Sequence, residues 1–329
     1  MNKPASIFLT NVTVIDGAFV TERGMVEGAS FNPKFVVTGP VTEDEQVVID
    51  FGRIKKKLKE WIDDKAEGFD HKLWFCEGLS LGTVRPTLPS ESLGLSPSVA
   101  GVVLTTPMLE AVGDDAYIRV IPDIPATWAK IDRRRDLVSA LRQEIHLFIN
   151  EKLSKEFPGV TAQVILSTDA SDMGFTLVDS SRLWFRYSHG LRNSTSFGCQ
   201  QPLHGHLSYL QLLKRNDNDF VPCPSSELFF VRKSLDDAVF VDKANVMSHD
   251  EADTSISYAS MSRGRFTVWY KSLSSSGAAH KVFVLDTETT VEHLAEWIKV
   301  TYWDSLRRSG ATHLAVSEGL TKGAIVELV

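Results

Sequence analysis

The feature that most constrains the fold of this chain is that its two halves repeat one another. In the first half, "SIFLTNVTVIDGAF" and "SFNPKFVVTGPV" are rich in β-branched and aromatic residues and predict strands, with Gly24 and Gly28 punctuating their connection. Asp50 then caps a predicted helix over "FGRIKKKLKEWIDD", in which Phe51, Ile54, Leu58, Trp61 and Ile62 form one apolar face and the lysines stay outside. A stretch containing Pro, Ser and Gly runs from about 77 to 125. After it come a second helix in "RRRDLVSALRQEIHLFINEKL", with Leu137, Leu141, Ile145 and Phe148 on one side, and strands "TAQVILST" and "MGFTLVD". The second half keeps this order: strands "RLWFRYSH" and "HLSYLQLL", a long variable segment, a helix in "TVEHLAEWIKVTYWDSLRR", and strands "THLAVSE" and "AIVELV". Even "EGAS" at 27–30 stands in its half where "HGHL" at 204–207 stands in the other. The pattern reads as a duplication with a junction near 173–180. Its units span 1–173 and 174–329, and the second carries an insertion at about 214–285 that holds a hairpin at "FTVWYKSL". Strands of period two with one or two helices per half predict an α+β class, antiparallel sheets with helices covering one face.

Bulk properties narrow the function. The 329 residues, 43% hydrophobic and 23% charged, suffice for two domains with sizeable cores. Apolar runs such as "GVVL" and "VFVL" fall far short of the roughly 18 residues that a membrane span needs, so no membrane association is expected. The start "MNKPASIFLTNVTVID" lacks the pattern of a secretory signal, and the three cysteines, 76, 199 and 223, have no framework spacing. A cytoplasmic setting with reduced thiols is the expectation. A net charge of −7 argues against a nucleic-acid surface, and the basic run "RIKKKLK" at 53–59 reads as the solvated face of a helix.

The chemistry concentrates around His204-Gly205-His206. On a strand, residues i and i+2 point to the same side, so the two imidazoles project together, and His189 on the preceding strand can face the same point. Three neutral imidazoles with a coordination position left open are the donor set of a catalytic zinc site. Spacing alone leaves a second reading, a polar pair without consequence. Cys199, five residues before His204, reads as a thiolate base or nucleophile, a fourth ligand, or a small core filler. Cys76 and Cys223 read as structural.

These residues resemble the 6-pyruvoyl-tetrahydropterin synthase and 6-carboxy-tetrahydropterin synthase family, of the tunnelling fold (T-fold). The resemblance rests on "YSHGL" (187–191), "CQQPLHGH" (199–206), "VIDFGRIKKKLKEWID" (48–63), "FDHKL" (69–73), "TTVEHLAEW" (289–297) and "VSEGLTKGA" (316–324). It extends over both halves but not over 77–125 or the insertion, and is greatest with tandem members carrying two T-fold units. It implies zinc bound by His189, His204 and His206, Cys199 as catalytic base or nucleophile, and Asp70 with His71 as a proton relay. Glu318 would anchor the pterin ring, with Thr290 also on the substrate. Arg192, Lys72 and Lys322 are the cations on hand for a triphosphate.

The departures are informative. By motif position the zinc ligands of the first half read Asp16, Glu27 and Ala29, and no Asp-His pair is recognisable in the second. The resemblance therefore implies one composite site, with zinc, Cys199 and Glu318 from the second half and Asp70–His71 from a first half. The implied substrate is 7,8-dihydroneopterin triphosphate. The implied activity is that of a zinc-dependent lyase of the 6-carboxy-tetrahydropterin synthase type, in 7-deazaguanine (queuosine) synthesis. Triphosphate elimination alone, as in the pyruvoyl branch, and an inactive T-fold binding or assembly protein are the alternatives. Because T-folds close their sheets into barrels by association, a homo-oligomer is expected, with three tandem chains supplying the usual six units.

Overall fold

The computed structural model describes residues 4–21, 24–42, 44, 46–76, 83–87, 101–106, 108–114, 118–121, 133–166, 181–191, 199, 204–217, 219–249, 253–260, 264–271 and 280–328. The junction near 173–180, the expected strand "MGFTLVD" and Arg192 lie outside the described residues.

Strands β1 (Pro4–Leu9), β2 (Ile15–Val20), β3 (Val26–Phe31) and β4 (Lys34–Pro40) lead into helix α1 (Phe51–Ile62). Then come β5 (Lys72–Cys76), β6 (Thr83–Thr87), β7 (Gly101–Thr105), β8 (Leu109–Asp114), β9 (Ile118–Ile121), α2 (Arg133–Glu156) and β10 (Thr161–Ile165). The chain continues with β11 (Leu183–His189), β12 (His204–Asn216), β13 (Asp219–Pro222), α3 (Glu227–Leu235), β14 (Ala238–Asp242), β15 (Val246–His249), β16 (Asp253–Ser260), β17 (Gly264–Lys271) and β18 (Lys281–Leu285). Helices α4 (Val291–Thr301) and α5 (Trp303–Arg308) and strands β19 (His313–Glu318) and β20 (Lys322–Glu327) complete it.

Strand pairing repeats as the sequence order does. One sheet runs β3-β2-β5-β9, and another, of order β18-β14-β11-β12-β19-β20, contains the matching run β12-β11-β14-β18. Strand β4 pairs with β1 and β10, as the second part of β12 pairs with β13 and β19. The sheets β1-β4-β10 and β15-β16-β17-β8-β7-β6 are purely antiparallel as expected, whereas the two sheets that contain β5 and β14 are mixed, which corrects the expectation for them. β2–β3 and β11–β12 are antiparallel, whereas β2–β5–β9 and β11–β14–β18 are parallel. The physical reason lies in β5, "KLWFC", and β14, "AVFVD", every residue of which is buried. Strands covered on both faces do not alternate, so the pattern that identifies an antiparallel strand is missing.

The stretch from about 77 to 125 and the insertion at about 214–285 cooperate. β6–β8 from the first half and β15–β17 from the second join in one sheet of order β15-β16-β17-β8-β7-β6. Within 214–285, α3, β14 and β18 stand in the order of α1, β5 and β9, and β15–β17 lie between β14 and β18 as β6–β8 lie between β5 and β9. A core of Val20, Val26, Leu73 and Phe75 with Leu104, Leu109, Val239, Val241 and Val268 joins this third sheet to both halves.

The helices follow their periodicity. The Asp50 side chain accepts from the Arg53 N–H at 2.7 Å and caps α1, whose Ile54, Leu58, Trp61 and Ile62 are buried. Phe51, expected on that face, is 52% exposed, since it sits in the first turn. Leu137, Leu141, Ile145 and Phe148 of α2 are buried beside Phe35 and Val37 of β4 in one core, while α3 and α4 bury Leu228, Val231, Leu294 and Ile298 against β11, β12 and β19 in another. The predicted last helix breaks at Tyr302 into α4 and α5. No helix among the described residues is long and apolar enough to cross a membrane.

What positions the site is the crossing of hairpins β2–β3 and β11–β12. A side chain on Gly205 would stand 2.4 Å from Gly28 Cα and 2.8 Å from the Gly17 carbonyl; one on Gly28 would stand 2.3 Å from the Tyr187 carbonyl. Only glycines at both places let the backbones come this close. Gly205 separates the two histidines because another strand passes there.

Candidate functional site

Strand β11 ends on His189 and β12 begins on His204, and the antiparallel register sets them opposite each other, with Tyr187 opposite His206. All three histidines are buried, and their nitrogens lie within 4.8 Å of one another. His189 Nδ1 donates to the Thr289 carbonyl at 2.7 Å, which leaves a lone pair on Nε2. That Nε2 lies 3.1 Å from Nε2 of His206. Two Zn–N bonds of about 2.0–2.1 Å at a tetrahedral ion would hold their nitrogens about 3.3 Å apart, so the residues present fit a zinc-sized cation. Burial, together with the nearby His206, takes the His189 pKa down to about 3, against the opposing pull of Glu318. His189 is therefore the neutral imidazole that a metal requires.

A second group comes from the first half. Asp70, His71 and Asp16 also bring their ligating atoms within 4.8 Å of one another. Asp70 grips both of its neighbours: Oδ2 lies 2.6 Å from His71 Nδ1, and Oδ1 accepts from the Asp16 N–H at 2.9 Å. His71, at a φ of 55°, donates its own N–H to the Asp16 carbonyl, and this left-handed turn aims its ring at the histidines. The ring centroids of His71 and His204 are 5.0 Å apart. Burial opposes charge on His71, but Asp70, Cys199 and Asp16 together raise its pKa well above the ordinary value. Cys199 Sγ lies 4.0 Å from His71 Nε2, and its carbonyl accepts from the Leu191 N–H at 2.8 Å.

Glu318, at the end of β19, places Oε1 3.8 Å from His189 Nε2 and takes 2.8 Å contact from Lys322 on Oε2. Burial would raise the Glu318 pKa, yet His206, His189 and Lys322 bring it below the ordinary value. Lys72 is buried and donates to the Lys65 carbonyl at 2.6 Å. Thr290 is the N-cap of α4, accepting from the His293 N–H at 3.4 Å. Cys76 is buried and Cys223 half-buried; the three cysteines form no disulfide.

Sequence reasoning missed three contributors. Thr289 orients His189 through a carbonyl, which no side-chain pattern reveals. Ser30 donates to Asp16 Oδ1 and accepts from the Leu207 N–H at 2.9 Å, stitching the hairpins together. Asp16 Oδ1 lies 3.3 Å from His206 Nδ1. Although burial works against its charge, His206 and His71 hold the Asp16 carboxyl well below the usual range. The one signal available was that Asp16 stood among the departures from the motif.

Register also corrects how the halves correspond. Gly17 pairs with Lys72 and Ala29, as Tyr187 pairs with Ala238 and His206. Glu27 and Ala29 thus match His204 and His206 as expected, but Phe19, not Asp16, matches His189. Asp16 matches Arg186. The Asp-His pair has a counterpart after all in Asp236–Asp237, where Asp236 Oδ1 accepts from the Arg186 N–H at 3.0 Å and Asp237 repeats the left-handed turn at a φ of 60°. That second pocket gathers carboxylates around a cation: Arg186 lies 3.9 Å from Asp236 and 4.0 Å from Asp237. Burial, then Glu27 and Asp236, push Asp237 up to about 6.

The first cluster thus combines a donor set for a divalent cation with a thiol and a carboxylate-held imidazole able to exchange a proton. No protein-family profile matches the chain, and a comparison with curated proteins finds no match. Among solved structures, two catalytic-residue mutants of Plasmodium vivax 6-pyruvoyltetrahydropterin synthase share 14% identity with it, at TM-scores of 0.34 and 0.33, over 50% of this chain and 92% of theirs. Plasmodium falciparum 6-pyruvoyl tetrahydropterin synthase shares 15%, at a TM-score of 0.27, over 50% of this chain and 99% of that one.

Proposed function

We propose that the chain is a zinc-dependent lyase of the 6-carboxy-tetrahydropterin synthase type, acting on 7,8-dihydroneopterin triphosphate and built from two tandem T-fold units that assemble into homo-oligomers. The observation that carries this reading is the 4.0 Å approach of Cys199 to His71, beside three buried imidazoles. Residues from both halves thereby form one cluster, as the motif resemblance implies.

His189, His204 and His206 would hold the zinc ion, which would supply Lewis acidity toward the side-chain hydroxyls of the substrate. Glu318, a carboxylate near the cluster, accepts hydrogen bonds from the amino and ring N–H groups of the pterin. An imidazolium at His71, fixed by Asp70, favours the thiolate on Cys199. The Cys199 thiolate takes the proton from the side-chain carbon next to a hydroxyl, and the C–H electron pair stays on the substrate as an enediolate. His71 returns a proton to the substrate as the C–O bond to triphosphate breaks and triphosphate leaves, the stage that precedes carbon–carbon cleavage to acetaldehyde and a carboxylate. Incubation with 7,8-dihydroneopterin triphosphate and mass identification of the products tests the proposal. Acetaldehyde with a carboxypterin supports it, a pyruvoyl pterin replaces it with the elimination-only reading, and no reaction favours an inactive T-fold protein.

A further inference from the structure

The structure assigns Asp16 as the positioning residue that fixes His206 for metal binding, an inference that rests on the metal-centre reading above. His206 must present one nitrogen to the cation and carry a proton on the other. Its Nε2 faces His189 at 3.1 Å, so Nδ1 is the nitrogen that must hold the proton. Nδ1 is buried and makes no hydrogen bond among the described residues. The carboxylate that faces it is that of Asp16, with Oδ1 at 3.3 Å. A ring turn of a few tenths of an ångström closes that distance to a charge-assisted hydrogen bond.

Asp16 itself is held from three sides. Ser30 donates to the same Oδ1, Asp70 receives its N–H, and its carbonyl receives the N–H of His71. One residue of the first half thus touches a proposed metal ligand with its side chain and the Asp-His pair with its backbone. The repeat supplies an internal comparison. At the equivalent place in the other pocket stands Arg186, a cation that cannot accept a proton, and Phe19 and Ala29 stand where His189 and His206 would be. Both the ligands and the orienting carboxylate are therefore confined to one of the two pockets, which implies one metal ion per chain.

The test is titration of the metal-free full chain with zinc, and with cobalt(II), whose visible absorption reports coordination geometry. Wild type should bind one ion per chain. Asp16→Ala should weaken binding by about 10- to 100-fold, the usual effect of losing the partner of a ligating histidine, and should alter the cobalt spectrum. Asp16→Asn, isosteric and still an acceptor, should weaken it less and keeps the test open should the alanine variant fail to fold. Glu27→Gln, in the other pocket, should bind as wild type does. If both Asp16 variants match wild type in affinity and spectrum while His206→Ala loses the metal, the assignment of Asp16 is overturned and the metal centre stands. If wild type binds neither metal, both fall together.

Discussion

Gly205→Ala is the sharpest test of how the site is built. The added methyl would meet Gly28 Cα at 2.4 Å and the Gly17 carbonyl at 2.8 Å, both backbone atoms that no rotamer change can move aside. Comfortable carbon contacts lie at about 3.5–4.0 Å, so the two hairpins must part by about 1 Å. Forcing a methyl into a packed interior costs about 1–3 kcal/mol. Parting the strands also stretches the buried bond from Leu207 to Ser30, now 2.9 Å, for about 1 kcal/mol more. The expected loss is thus about 2–4 kcal/mol, against a total stability on the order of 5–15 kcal/mol. Asp16 would be drawn away from His206 at the same time, so metal affinity should fall with stability. Urea denaturation followed by circular dichroism measures the first, and cobalt titration the second. Gly28→Ala, whose methyl would meet the Tyr187 carbonyl and the His206 N–H at 2.3 and 2.8 Å, should behave alike. Should both variants stay within about 0.5 kcal/mol of wild type with unchanged affinity, the close crossing of the hairpins does not exist as described.

Zinc at about 100 times its dissociation constant should stabilise the chain by about 2.7 kcal/mol over the chelator-treated form, read as a rise in Tm that His189→Ala abolishes; equal melting of both forms would remove the metal centre. Cys199→Ala should end turnover of 7,8-dihydroneopterin triphosphate while leaving the bound zinc in place, and an unchanged rate would take the thiol out of the mechanism. His280, whose Nε2 accepts from the Val26 N–H at 3.4 Å, has its pKa lowered to about 4 by burial. The native state therefore resists a proton that the unfolded chain accepts at about 6.5. Stability present above that pH should fall by at most about 3 kcal/mol as the pH drops from 6.5 toward 4. Replacing His280 by Asn should flatten that dependence, and an identical profile in urea midpoints would contradict it.

The sequence by itself determined the parts whose causes are local. The period of Ile54, Leu58 and Trp61 with Asp50 ahead of them specifies α1 and its cap, and the alternation in His204-Gly205-His206 specifies that both imidazoles share a face. The runs "RLWFRYSH" and "HLSYLQLL" anticipated β11 and β12, and the motif resemblance picked out Asp70, His71 and Cys199, which the fold brings beside the histidines. Tertiary structure decided what depends on neighbours distant in the chain. β5 and β14 pair in parallel with β2 and β11 and are buried on both faces, a state that erases the alternation by which a strand is recognised. Helix α3 escaped notice because Phe229 and Phe230 are exposed and blur its apolar stripe. Asp16 looked like a departure from a motif until the crossing at Gly28 and Gly205 carried it to His206. Backbone approach and carbonyl contacts of that kind leave no side-chain pattern, so they become visible only when the two halves are packed together.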